Sequence, residues 1–156
     1  AGFEFIDPGS GGALAGAMGE AYNKGEGWMG YYWGPTAILG KYDMTKLDEG
    51  VDHNAETWIS EINDLEVAAP GKNRYPASTV ETYVGSDMLD NFVVMNYLEK
   101  RSFPNTLLSQ MLAWKDGEQA EASEAAEYFL LNNEDVWKNW TSSDARLAIK
   151  EELGMM

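Results

Sequence analysis

The sequence predicts an α/β fold: a small sheet flanked by helices, with a helical C-terminal part. Three observations point there. A short apolar run of Phe3, Phe5 and Ile6 breaks at the turn-forming string Asp7-Pro8-Gly9-Ser10-Gly11-Gly12, as a strand entering a tight turn does. A second run, Trp28-Met29-Gly30-Tyr31-Tyr32-Trp33, is aromatic without helical period and closes at Gly34-Pro35. After Asp87 the apolar residues recur at three and four positions, the period of a helix.

Between the first two runs, Leu14, Ala17, Met18, Ala21 and Tyr22 line one helical face, with Ser10 as N-cap and Asn23-Lys24-Gly25 as the stop. Strand, helix, strand opens an α/β unit. Acidic residues dominate 43–66, with a weak helical pattern around Trp58 and Ile62, and residues 67–78 read as loop. Val80, Thr82 and Val84 alternate with Glu81 and Tyr83, a third strand ending at Gly85-Ser86-Asp87. Met88, Leu89, Phe92, Val93 and Tyr97 form one amphipathic helix; Leu107, Leu108, Met111 and Leu112 form a second behind Pro104. Up to three shorter helices follow, and Trp114, Trp137 and Trp140, at helical spacing within amphipathic segments, read as core residues.

With 156 residues and 44% hydrophobic content the chain supports one cooperative core. Residues 1–156 therefore read as a single domain, with an α/β part over 2–86 and the C-terminal helices over 87–156. Twenty-six acidic against eleven basic side chains give a net charge of -15, a field that repels nucleic acid and anionic lipid. The absence of cysteine removes thiolate zinc sites, disulfides and thiol nucleophiles. No apolar run spans a bilayer, and a chain opening on Ala1-Gly2-Phe3 reads as a processed product or an excised piece.

Chemistry concentrates at two places. The Gly9-Ser10-Gly11-Gly12 turn puts unpaired N–H groups and the positive end of a helix dipole where a carboxylate or phosphate could sit. Its plain alternative is a serine-capped, glycine-rich connection. A dinucleotide fingerprint fails at Leu14, and a phosphate loop lacks its Lys. The Tyr31-Tyr32-Trp33 rings ahead of Gly34-Pro35-Thr36 either fill the core or offer faces to a cation that cannot be hydrogen-bonded. Together the two features have the polarity of a zwitterion.

Other groups carry less. His53, between Asp52 and Asn54, reads as a solvated side chain, and no triad forms around it. Asp43, Asp48, Glu49 and Asp52 lack the ligand spacing of a calcium loop. Ser86 lacks the second glycine of a nucleophile elbow. Neither a catalytic constellation, nor a metal site, nor a cofactor is expected.

Asp7-Pro8-Gly9-Ser10 before an Ala-rich helix, Gly30-Tyr31-Tyr32-Trp33-Gly34-Pro35 followed by Gly40-Lys41-Tyr42-Asp43-Met44, and Tyr97-Leu98 through Phe103-Pro104-Asn105 resemble a known family. So do Leu112-Ala113-Trp114 and the stretch from Glu124 to Trp137. The resemblance, over nearly the whole chain, is to substrate-binding proteins of glycine betaine/proline-type ABC transporters, which have the type II periplasmic-binding-protein fold. It implies capture of a quaternary-ammonium osmolyte in the periplasm or elsewhere outside the cytoplasmic membrane, closure of two lobes, and delivery to an ABC permease without chemistry. By position, Trp33 and then Tyr32 are implied as walls of an aromatic cage, with Gly9, Ser10, Gly11 and Thr36 facing the ligand. Many relatives carry Pro-His-Trp where this chain has Pro35-Thr36-Ala37, a departure that bears on ligand identity. The length matches one lobe of about 100 to 150 residues, so a missing lobe and a homodimer of the fragment are expected partners. A small α/β enzyme and an acidic protein-interaction module stay open as alternatives.

Overall fold

A computed structural model describes Glu4 and residues 6–155 of the chain. Among these residues no strand forms; the regular elements are all helical. The expected α/β fold, a lobe of the type II periplasmic-binding-protein kind built on a small sheet, is therefore corrected to a helical one with long irregular connections.

The reason lies in what the strand signals measured. Alternation in residues 79–84 implied one buried face, yet Val80 is 95% and Tyr83 87% exposed. A strand persists only where a neighbour accepts its ladder of hydrogen bonds, and none does here. In residues 28–33 the rings pack locally instead. Trp28 folds over Gly30, where a Cβ would meet its ring at 2.8 Å, and Tyr32 stacks on Trp33. Of the first strand, Phe3 and Phe5 lie outside the described residues, and Ile6 is exposed.

The chain divides into two compact units, Ala1–Met44 with Gly85–Met156, and Thr45–Val84. The first contains α1 (Gly11–Lys24), α2 (Ala37–Lys41), a 3-10 turn (Ser86–Met88), α4 (Phe92–Lys100), α5 (Asn105–Glu118), α6 (Ala122–Asn132), α7 (Glu134–Trp137) and α8 (Ser143–Glu152). The second holds α3 (Ala55–Thr57), which widens into a π turn (Trp58–Ile62).

In the first unit, Ser10 caps α1 by accepting the N–H of Ala13, and Gly25 ends the helix in the left-handed conformation at φ 69°. Met18 and Gly19 form its buried face. Glycine at 19 lets the Tyr42 ring approach to 3.3 Å of where a Cβ would stand, and Tyr22 packs on the same ring at 4.5 Å. The amphipathic helix expected from Met88 starts later: Asn91 caps α4 through the N–H of Val94.

The core lies at the far end of the chain. Phe129, Trp137 and Trp140 pack together, with Tyr97, Leu107 and Met111 against them. Phe103 meets both Phe129 and Trp140. The Trp137 indole N–H donates to the Leu130 carbonyl at 2.8 Å, so its burial leaves no polar atom unpaired. Glu121 and Glu124 form a capping box at the start of α6. Lys150 pairs with Glu134 at 2.5 Å, and Arg146 donates to the Lys138 carbonyl, holding α8 to the α7 turn.

The second unit has no fully buried residue and is held by polar contacts. Asn54 and Asn73 exchange two hydrogen bonds, at 2.9 and 2.8 Å. His53 Nδ1 lies 2.8 Å from the Arg74 carbonyl, which only a protonated Nδ1 can satisfy. The Arg74 guanidinium meets Asp48 at 2.8 Å, Glu49 at 3.3 Å and Asp52 at 3.7 Å. Trp58 packs edge-on to Tyr75 and also meets His53.

Candidate functional site

The two features singled out in sequence meet in the first unit. Asp7 accepts the Gly9 N–H at 2.8 Å, closing a turn in which Gly9 takes φ 77°, a conformation suited to glycine. Ser10 follows in extended conformation and caps α1, using its side chain for Ala13 and its carbonyl for Leu14. Among the described residues, the amides of Gly11 and Gly12 donate to nothing. Two N–H groups and the positive end of a fourteen-residue helix thus remain available.

Trp33 lies directly against this helix start. Its Cη2 is 3.1 Å from the position a Gly11 Cβ would take, so the indole occupies space that any other residue at 11 would claim. Tyr32 stacks on Trp33 with centroids 4.5 Å apart and planes 18° from parallel, and Tyr31 lies 6.2 Å from the same indole. Trp33 keeps 47% of its surface exposed, and Tyr31 is exposed as well. Stacked this closely, Tyr32 and Trp33 admit nothing between them. They make a shelf with outer faces and edges, where sequence had suggested cage walls.

Gly9, Ser10, Gly11, Tyr32 and Trp33 are therefore assembled at one place. Thr36 is tied elsewhere. It opens α2 without a side-chain cap; its N–H donates to Ser109 Oγ of α5 at 3.2 Å, and its own hydroxyl is buried without a partner. Ser109 is a residue the sequence reading missed, because a serine within an amphipathic helix carries no mark of a partner 73 positions away.

A hollow of about 470 Å³ lies apart from this shelf, between α4 and the start of α8, lined by Phe92, Val93, Tyr97, Trp140, Thr141 and Ser142. None of the six residues expected to face a ligand lines it. His53, in the second unit, is exposed and engaged with Arg74 and Trp58.

A helix start with free N–H groups thus lies beside a half-exposed aromatic stack. The family model described as the substrate binding domain of ABC-type glycine betaine transport system matches residues 1–132, and the chain belongs to that family. Membership brings a small-molecule ligand and an ABC transporter as partner. A comparison with curated proteins returns no match. The match runs to the last residue of α6, Asn132. No helix among the described residues is long and apolar enough to cross a membrane.

Proposed function

We propose that this chain is the extracytoplasmic solute-binding component of an importer, that it captures a quaternary-ammonium osmolyte such as glycine betaine, and that it delivers the solute to the permease without making or breaking a bond. The observation that carries this reading is the seating of Trp33 on Gly11, which joins an aromatic surface to a helix N-terminus. A trimethylammonium group has no N–H to donate and little affinity for a carboxylate in water. An aromatic face attracts it by about 0.5 to 2 kcal/mol, more as water is excluded. The carboxylate of the same ligand needs donors, and the Gly11 and Gly12 amides with the α1 dipole supply them.

On this reading the ligand lies along the shelf, ammonium over the exposed indole and carboxylate toward Gly11. The stacking of Tyr32 on Trp33 fixes the indole plane, so its order is already in place when the cation arrives. Net charge of -15 favours the approach of a cation and disfavours a plain anion, which suits a ligand whose positive end is the larger one.

Calorimetric titration of glycine betaine into the chain and into Trp33→Ala tests the proposal. Saturable binding by the first, weakened at least tenfold in the second, supports it. Equal affinity in the two rules out the shelf.

A further inference from the structure

Ser109 of α5 meets both ends of α2. Its hydroxyl accepts the N–H of Thr36, the cap of α2, at 3.2 Å. Its backbone carbonyl lies under Gly40 near the other end, so close that a Cβ on Gly40 would stand 2.0 Å from the oxygen. Ser109 is only 5% exposed, and the hydrogen bond crosses between chain segments 73 residues apart. Thr36 follows Trp33 by two residues, Gly34 and Pro35, so whatever fixes the Thr36 backbone fixes the end of the segment that carries the stacked rings.

We infer that Ser109 is a positioning residue for ligand capture: through the Thr36 N–H it sets where the Tyr32–Trp33 shelf lies against the start of α1. The inference rests on the proposed role of that shelf. Two features favour it over a purely structural hydrogen bond. The first is placement. An N-cap amide is not consumed by the helix it opens, so its bond to a distant serine costs nothing in helix geometry and gains a fixed anchor. The second is that α2 has only five residues and makes no side-chain cap of its own. A helix that short does not hold its position alone; it takes its position from α5. Since the Trp33 indole takes the space a Gly11 Cβ would claim, a shift of the 34–36 turn by even an ångström moves the indole off the helix start and separates the cation surface from the anion donors.

The test uses the full chain and three readouts on Ser109→Ala: glycine betaine affinity by calorimetry, the thermal midpoint, and the hydrogen-exchange rate of the Thr36 amide. The expected result is faster Thr36 exchange together with betaine binding weakened about fivefold, the loss of one ordinary hydrogen bond. Ser109→Cys keeps the volume but accepts poorly, and replaces the alanine variant if that one does not unfold cooperatively; the same losses are expected of it. If Thr36 exchanges faster while affinity is unchanged, the bond is structural and the inference is wrong. If Thr36 exchange does not change, the bond itself is absent in solution and the inference again fails. Trp33→Ala measured alongside separates the two levels. Loss of binding there with none in the Ser109 variants overturns the positioning role alone, whereas no loss in Trp33→Ala overturns the shelf and the inference with it.

Discussion

At the scale of single residues, the proposed ligand capture turns on the placement of Trp33 over Gly11. A Cβ at position 11 would stand 3.1 Å from the indole, tighter than van der Waals contact, and an indole 47% exposed has room to retreat. Gly11→Ala should therefore leave the thermal midpoint unchanged or raise it, alanine being the better helix former by up to about 1 kcal/mol, while weakening betaine binding severalfold. Differential scanning calorimetry and titration on the same sample separate the two effects. The role of the free amides is checked by ligand chemistry: choline keeps the ammonium and lacks the carboxylate, so its affinity should fall at least tenfold below that of glycine betaine. Part of this residue-level picture was legible in the sequence. Ser10 and Gly25 announced the two ends of α1 because caps and left-handed glycines depend on neighbours two to four positions away. Ser109 and Gly40 announced nothing, since their meaning arises only when α2 lies on α5.

At the scale of elements, the α2 and α5 pair depends on the absence of a side chain at position 40. Gly40→Ala places a Cβ 2.0 Å from the Ser109 carbonyl oxygen, and because that oxygen is backbone and a Cβ has no rotamer to turn away, only separation of the helices relieves the clash. Destabilisation of about 3 kcal/mol is expected, measurable by urea unfolding. The Thr45–Val84 unit behaves differently because its ties include hydrogen bonds and a cluster of carboxylates around Arg74. The Asp48 carboxyl is held below the usual carboxylate range, first by the Gly50 N–H and then by the Arg74 charge. A carboxyl depressed in the folded state contributes stability that is complete above its unfolded value of about 3.9 and is lost as pH falls through the folded one. The Gly50 amide resonance should therefore titrate with a midpoint below about 3.9; a midpoint at or above that value would show the contacts absent in solution. Salt should raise the midpoint by screening Arg74. Sequence misjudged the elements where its signals were shortest. The 28–33 and 79–84 segments showed strand patterns, but pattern reports which residues could share a face, and a strand also needs a partner backbone that no local signal specifies.

At the scale of the whole molecule, two of the aromatic clusters in the first unit differ in burial. Phe103, Phe129, Trp137 and Trp140 build the core of the first unit from the C-terminal helices, and Trp137 is 1% exposed. Trp137→Ala should cost about 3 to 5 kcal/mol and also orphan the Leu130 carbonyl; loss of a cooperative thermal transition is the expected reading. Tyr31, Tyr32 and Trp33 contribute little to that core and stay at the surface beside α1. The core positions of Trp137, at the end of α7, and Trp140, in the turn after it, were readable from their spacing. The placement of the Trp28–Trp33 rings outside the core was not, because a run of aromatics looks the same whether it is buried or displayed. Family membership places the chain among substrate-binding domains, and the proposal assigns the ligand to the exposed stack beside the capped start of α1.

The most direct test is the intermolecular nuclear Overhauser effect between the N-methyl protons of bound glycine betaine and the indole protons of Trp33. Strong cross-peaks to the Trp33 ring, with none to Trp137 or Trp140, are the expected result; saturable binding without any contact to Trp33 would contradict the account.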